Sequence, residues 1–167
     1  MGSSADDESF RAFVRAHESS LFRMAFLLAG DRGHAEDLVQ TAFLRTYTRW
    51  DRLYGDQPLA YARRVIANAN IDRWRRDRGR ERLTDVPPEG VFVDAAHGLV
   101  ERDVVVRALA TLTDRERRVV VLRFLLDLSQ AETADLLGVP EGTVKSATNR
   151  ALTRLRNDGA LRAEVTS

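Results

Sequence analysis

The sequence predicts an all-α fold of two small helical domains joined by a flexible acidic linker. Apolar residues recur at every third or fourth position along most of the 167 residues, and no segment shows the sustained alternation of an exposed strand. Between residues 83 and 100 this periodicity stops at a Pro-Pro pair, and Lys and Arg are absent. Because a chain of this length buries one or two small cores, we expect domains over residues 8–82 and 101–158.

Three helices are predicted in the first domain. Apolar residues at helical spacing run from Phe10 to Phe26, and the sequence GDRG then breaks the pattern. Asp31, within that break, suits the N-cap of a second helix whose apolar residues continue as far as Tyr47. A polar loop, DRLYGDQP, follows. Its last residue, Pro58, suits the first turn of a third helix, where the missing N–H is not needed.

Four helices are predicted after the linker. The first begins near Val104. Thr113 and Glu116 form a capping-box signature for the next helix, because the Thr hydroxyl can accept from the N3 amide while the Glu side chain reaches back to the cap amide. Ser129 and Glu132 repeat this signature before the third helix.

The last two helices, in the sequence AETADLLGVPEGTVKSATNRALTRLR, have the pattern of a helix-turn-helix. Steeply crossing helices need a small residue at their contact, tolerance of positive φ at the turn and an apolar anchor on the second helix. Ala134, Gly138 and Val144 fill these places. The other face of the second helix is polar and basic, as major-groove contact requires, although an ordinary solvated face is the alternative. The candidates for DNA contact are Thr143, Lys145, Ser146, Asn149, Arg150 and Arg154.

A second concentration of positive charge lies in RRVIANANIDRWRRDRGRER, residues 63–82. It contains eight arginines, with Asn68, Asn70 and Trp74 among them. Arginines can contact phosphates, amides can contact base edges and an indole can stack on a base, so the segment suits a nucleic-acid strand. The alternative is an ordinary helix end, in which Arg complements the C-terminal dipole and Trp74 belongs to the core.

Composition argues against several other classes of protein. Cysteine is absent, which excludes a disulfide scaffold, a thiolate metal site and a Cys nucleophile. The N-terminus is polar and acidic, and no apolar run approaches the roughly 18 residues of a membrane span, so we expect a cytoplasmic protein without membrane insertion. The net charge is only +1, so nucleic-acid binding depends on how the charge is distributed.

Nearly the whole chain, about residues 8 to 157, resembles the extracytoplasmic-function (group 4) RNA polymerase sigma factors of the sigma-70 family, and in particular their actinobacterial sigma-E-type branch. Four blocks carry the resemblance: AEDLVQTAFLRTY, AYARRVIANANIDRWRR, LTDRERRVVVLRFLLDLSQAETADLLGVPEGTVKS and RALTRLR. It implies a factor that confers promoter specificity on polymerase and initiates transcription, with no catalytic site and no cofactor. It also implies sigma region 2 at residues 8–82 and sigma region 4 at residues 101–158.

The resemblance implies a role for each surface. The helix around Glu36 to Trp50 would dock on the β′ clamp of core polymerase, with candidates Asp37, Gln40, Thr41, Leu44 and Arg45. The first domain would also melt and read the −10 element, with a flipped base held at residues 51–57. The candidates there are Tyr54, Arg63, Arg64, Asn68, Asp72, Arg73, Trp74, Arg75 and Arg76. The helix-turn-helix candidates would read the −35 element as duplex. The expected partners are core polymerase (β′ clamp and β flap), double- and single-stranded promoter DNA, and an anti-sigma factor.

The chain departs from the family pattern at two of these surfaces. Many relatives carry a second basic residue where Ala147 stands, directly after the Lys-Ser pair, and many have Glu in place of Thr41. In the linker, Asp85, Glu89 and Asp94 are the basis for a further hypothesis: the segment threads toward the RNA exit path of polymerase as a mimic of nucleic acid.

Two other functional classes stay open. A helix-turn-helix repressor that acts without polymerase would need a symmetric dimer on two half-sites, and it would leave the first domain unexplained. A helical hydrolase is suggested by His34, Glu36 and Asp37, which resemble a metal or acid–base cluster. Acidic residues in a first turn also complement the helix dipole, however, and only His17 and His97 are available to complete such a site.

Overall fold

The computed structural model of the protein describes residues 4–53, 55–78 and 104–157, except for the side chains of residues 4, 77 and 78. Within these ranges the secondary structure is helical and contains no strand, which confirms the predicted fold class. The helices before residue 79 form one compact unit, and those from residue 104 onward form a second. Tyr54 and the acidic linker of residues 83–100 lie outside the described residues.

The described residues of the first unit form four helices: α1 (Ser4–Ala29), α2 (Arg32–Tyr47), α3 (Trp50–Leu53) and α4 (Pro58–Arg78). As predicted, Asp31 caps α2, and its carboxylate accepts a hydrogen bond of 2.7 Å from the backbone N–H of His34. α4 begins at Pro58, also as predicted. The polar loop expected between α2 and α4 is only partly a loop, because α3 occupies its beginning.

The core of the first unit lies among α1, α2 and α4, which pack against one another. Tyr47 was expected in the apolar stripe of α2, but it is 42% exposed. No helix in the part of the chain that the structure describes is both long enough and apolar enough to cross a membrane. The largest fully buried side chains of the unit are Leu21, Phe26, Leu27, Leu28, Ile66 and Ile71.

The second unit contains α5 (Val104–Ala110), α6 (Asp114–Val120), α7 (Gln130–Leu137) and α8 (Glu141–Asn157), and a π-helical turn, Val121–Leu125, continues α6. Both predicted capping boxes form. Thr113 accepts from the N–H of Glu116 at 3.3 Å, and Glu116 accepts from the N–H of Thr113 at 3.1 Å. The corresponding distances for Ser129 and Glu132 are 3.1 and 2.8 Å.

Gly138 makes the turn of the predicted helix-turn-helix. It ends α7 in the left-handed conformation, with φ 65° and ψ 40°, and the N–H of Val139 then donates to the carbonyl of Ala134 at 3.0 Å. Ala134 and Val144, the residues expected at the contact of the two helices, are both buried, and α7 and α8 pack against each other. The local pattern of the motif is therefore confirmed.

We expect Gly138→Ala to lower the free energy of unfolding of the second unit by about 1–2 kcal/mol, because a β-carbon makes the left-handed conformation unfavourable by that amount. Urea denaturation followed by circular dichroism measures the change. Gly142→Ala is the matched control, since Gly142 lies in α8 and nothing is within 4 Å of the position that its β-carbon would take. Equal destabilisation by both substitutions would contradict the assignment of strain to Gly138.

Candidate functional site

α8 presents a polar and basic face to solvent. Val144, Ala147 and Ala151 are buried on its inner side. All six residues predicted to contact the −35 element belong to this helix. Thr143 is half-buried, and the others are exposed: Lys145, Ser146, Asn149, Arg150 and Arg154.

Hydrogen bonds within α8 influence what this face can offer to DNA. The Ser146 hydroxyl donates to the carbonyl of Gly142 at 2.8 Å. Its oxygen therefore keeps acceptor capacity for a base amino group. Asn149 carries both an amide donor and an amide acceptor on the exposed side of the helix, a combination that can pair with adenine in the major groove.

Two arginines of the basic face contact a buried carboxylate from another helix. Glu116, at the start of α6, is 3% exposed. Its Oε1 lies 3.7 Å from Nε of Arg150, and its Oε2 lies 3.4 Å from Nε of Arg154. The sequence identified Glu116 only as a capping residue. Arg150 and Arg154 follow Glu116 in the sequence by 34 and 38 positions, so no local sequence pattern indicates these contacts.

α4 carries the residues predicted to contact the −10 element. Arg63 and Trp74 are half-buried, so the indole belongs neither fully to the core nor fully to the surface. Arg64, Asn68 and Asp72 follow one another at intervals of four residues and therefore share one side of the helix. The exposed candidates on α4 are Arg64, Asn68, Asp72, Arg73, Arg75 and Arg76.

Asn70, one of the amides that the sequence suggested for contact with base edges, is buried in the core of the first unit. It is 3% exposed, and its Nδ2 meets no hydrogen-bond acceptor among the described residues. Two positions along a helix amount to a rotation of about 200°. The side chain therefore points toward the core, whereas Asn68 points toward solvent.

The cluster that suggested a hydrolase has other contacts. Glu36 forms an ion pair of 3.1 Å with Arg32, and His34 Nδ1 lies 3.0 Å from a terminal guanidinium nitrogen of Arg73. The chain segments that the structure describes bring together no group of three His, Cys, Asp or Glu side chains suited to a metal ion. Arginine contacts thus account for two of the three residues that prompted the hydrolase hypothesis.

An open groove of about 500 Å³ lies between α1 and α2. Leu44 is 67% exposed at this groove, and Gln40 lines it as well. Tyr47 donates a hydrogen bond of 2.7 Å to Asp7, and this bond, with the negative charge of Asp7, raises the pKa of the Tyr47 phenol. The groove is lined by Asp7, Phe10, Arg11, Gln40, Phe43, Leu44 and Tyr47.

The predicted polymerase-binding residues do not all line this groove. Asp37 is exposed and Thr41 is half-buried on α2. Arg45 lines a separate concavity of about 510 Å³ with Thr48, Arg49, Asp51 and Arg52. Arg49 also contacts the hydroxyl of Tyr61, and its guanidinium lies 5.4 Å from that ring. This grouping could have been predicted from the sequence, since Arg49 follows Arg45 by four residues and Arg52 follows Arg49 by three, the spacings of neighbours on a helix face.

Comparisons with known proteins agree with this arrangement. Residues 13–80 match the family described as Sigma-70 region 2, and residues 108–157 match Sigma-70, region 4. The RNA polymerase sigma-E factor of Streptomyces coelicolor is 40% identical over 151 residues, which cover 89% of this chain and 85% of that protein. The ECF RNA polymerase sigma factor SigL of Mycobacterium tuberculosis is 34% identical over 159 residues, with coverages of 91% and 89%.

A solved structure has a similar fold. It is the sigma factor RpoE of Bartonella quintana, crystallised in complex with the anti-sigma factor NepR. The TM-score is 0.55 at 24% sequence identity, and the match covers 93% of this chain and 98% of the other. At that identity the similarity supports the fold and nothing further.

Proposed function

The chain belongs to the extracytoplasmic-function branch of the sigma-70 family of RNA polymerase sigma factors, which direct polymerase to specific promoters and initiate transcription, and we propose that its two units divide this work by binding different forms of DNA. The observation that carries the proposal is a pair of exposed basic helix faces, one on α4 and one on α8, in separate units. A repressor with one reading helix would use only the second of these.

The second unit reads the −35 element as duplex DNA in this proposal, as region 4 within residues 101–158. α8 enters the major groove, where Asn149 contacts a base edge and Lys145 contacts base or phosphate. Arg150 and Arg154 offer guanidinium donors on the same face. The support is the exposure of all four side chains on one helix whose opposite side is buried.

The first unit binds the −10 element as a melted strand, as region 2 within residues 8–82. Arginines on α4 contact phosphates, and Asn68 and Asp72 contact bases that the duplex would hide. The contacts with bases favour melted over paired DNA, because the base edges that they use become accessible only after unpairing and unstacking. Promoter opening then follows from differential binding and requires no reaction catalysed by the chain itself.

Core polymerase holds both units in place. We assign the groove at Leu44 to the β′ clamp, because an exposed apolar side chain beside aromatic rings suits the centre of a protein interface. For the β flap we propose the π-helical turn that continues α6, where Phe124 is 54% and Leu125 is 37% exposed. We therefore propose that the protein acts in the cytoplasm, where polymerase works.

Regulation by an anti-sigma factor is part of the same proposal. The Bartonella quintana relative was crystallised with such a partner. A protein of that class would silence this chain most directly by covering the groove at Leu44, since an occupied groove cannot receive the β′ clamp. A binding competition would test this assignment: an anti-sigma factor isolated on the full-length chain should prevent that chain from binding core polymerase.

Run-off transcription tests the proposed function directly. Purified core polymerase transcribes a genomic promoter library with and without the protein, and the transcript starts are sequenced. New starts with shared motifs upstream are the expected result. A protein that binds DNA but neither binds core nor creates new starts would favour the repressor.

We expect Asn149→Ala to weaken discrimination at one base pair of the −35 element by about 1–3 kcal/mol, or roughly 5- to 150-fold, because one bidentate base contact contributes that much. Transcription from promoters randomised at each −35 position measures the change. Asn157→Ala is the matched control, since Asn157 is also an exposed Asn of α8 but lies at its last position. A loss of equal size at every position would contradict a base-specific role for Asn149.

A further inference from the structure

We propose that Glu116 is a positioning residue for recognition of the −35 element. Its carboxylate restrains Arg150 and Arg154 at Nε, so that the terminal guanidinium nitrogens of both side chains face the DNA. The proposal rests on the assignment of α8 to this element. Its starting point is the burial of the Glu116 side chain, which is 4% exposed where it meets both arginines. A buried carboxylate is strongly unfavourable unless charges and hydrogen bonds compensate for its lost hydration.

The contacts engage Nε of each guanidinium, and both arginine side chains stay more than half exposed. Both arginines approach Glu116 through Nε, Arg150 at 3.7 Å and Arg154 at 3.4 Å. Their side chains are nevertheless 56% and 53% exposed. The terminal nitrogens of an Arg extend beyond Nε and are the donors that bind guanine or phosphate in pairs. Glu116 therefore contacts each arginine at Nε and leaves the terminal nitrogens as donors for DNA.

Helix capping alone does not explain this arrangement. The second capping box, at Ser129 and Glu132, forms with a glutamate that remains exposed. In the first box, the cap uses a single hydrogen bond from the Thr113 N–H to Oε2 of Glu116. The approach of two arginines to both carboxylate oxygens is therefore additional to the cap.

An anchored arginine is better prepared for binding than a mobile one. A free Arg side chain loses rotamer freedom when DNA immobilises it, and this loss opposes binding. Arg150 and Arg154 lie one turn apart on α8, and the single carboxylate restrains both. The benefit appears only at a sequence that the restrained guanidiniums fit, so Glu116 should increase specificity more than general affinity for DNA.

The test is Glu116→Gln in the full-length chain with core polymerase. Glutamine can retain the cap, because Gln also serves at this position of a capping box, but it removes the charge that attracts the arginines. The measurement is the rate of open-complex formation at a promoter found by run-off transcription, divided by the rate at the same promoter with a scrambled −35 element. We expect this ratio to fall about five- to tenfold, a part of what two base contacts can contribute.

The ratio separates positioning from stability. Partial unfolding would lower the active concentration equally at both promoters and leave the ratio unchanged. Glu132→Gln is the matched control, since it alters the same capping position and removes the same charge from the second unit. An unchanged ratio for Glu116→Gln, or an equal fall for Glu132→Gln, overturns the proposal.

A double-mutant cycle tests whether Glu116 acts through the arginines. In a chain that carries Arg150→Ala and Arg154→Ala, Glu116→Gln should cause no further fall in the ratio. A further fall of the original size overturns the positioning role. If the two arginine substitutions leave the ratio unchanged, their proposed role at the −35 element fails as well. If they lower it and Glu116→Gln does not, only the inference about Glu116 fails.

Discussion

Leu44→Asp is expected to weaken binding to core polymerase by about 30-fold, which corresponds to about 2 kcal/mol and is the effect of losing one apolar anchor at the centre of an interface. Leu44 is 67% exposed and stands beside Phe43 and Tyr47 in the groove of the first unit. The substitution introduces a charge that would be desolvated against the polymerase. Because the side chain is already in solvent, the free energy of unfolding should change by less than about 0.5 kcal/mol.

Competition against a labelled sigma factor for a limiting amount of core polymerase measures the affinity, and a urea titration measures stability. Ala60→Asp provides a control with the same added charge. Ala60 is exposed in the first turn of α4, where a carboxylate is favourable to the helix, and we expect core binding to be retained. If Leu44→Asp binds core polymerase with the affinity of the wild type, the groove is not part of the polymerase interface.

Trp50→Ala should destabilise the first unit by about 3–5 kcal/mol, the usual effect of removing a buried large aromatic ring. Trp50 is 4% exposed. Its ring centroid lies 5.1 Å from that of Phe10 and 5.2 Å from that of Phe13. Its indole N–H donates to the hydroxyl of Ser9 at 2.8 Å. Such a loss is a large fraction of the stability of a small domain.

Urea denaturation followed by circular dichroism measures this destabilisation, and Trp50→Phe separates its two causes. Phenylalanine keeps most of the apolar volume but loses the hydrogen bond to Ser9, so we expect an intermediate loss of about 1–2 kcal/mol. Because Phe10 also lines the groove, Trp50→Ala should reduce core binding even where the unit stays folded. A loss of less than about 1 kcal/mol for Trp50→Ala would contradict the role of this cluster in the fold.

Local patterns were sufficient for much of the fold. The N-cap at Asp31, the start of α4 at Pro58 and the two capping boxes each depend on residues within one turn of one another. Helical periodicity likewise predicted that Val144 is buried in α8 while Asn149 is exposed, because the amphipathic pattern of that helix is uninterrupted. The repeat of about 3.6 residues was thus enough to predict the basic face.

Other features depend on contacts that the local sequence does not contain. Glu116 and the arginines of α8 meet only when α6 packs against that helix. Phe124 is 54% exposed and lies in the π-helical turn, in which the N–H of Leu126 donates to the carbonyl of Val121 at 3.1 Å. A repeat of about 3.6 residues does not predict such a turn. Asn70 is different, since it follows buried Ile66 by four residues and periodicity could have assigned it to the core.

The carboxylate of Glu116, which two arginines share, sets a lower limit on the size of a fragment of this protein that recognises DNA selectively. α7 and α8 together make the complete motif of a helix-turn-helix, yet the residue that steadies two of its arginines comes from α6. A peptide of α7 and α8 transplanted onto another scaffold would keep the shape of the motif and lose part of its selectivity. The unit of promoter recognition that can be exchanged between proteins is therefore larger than the motif that identifies it.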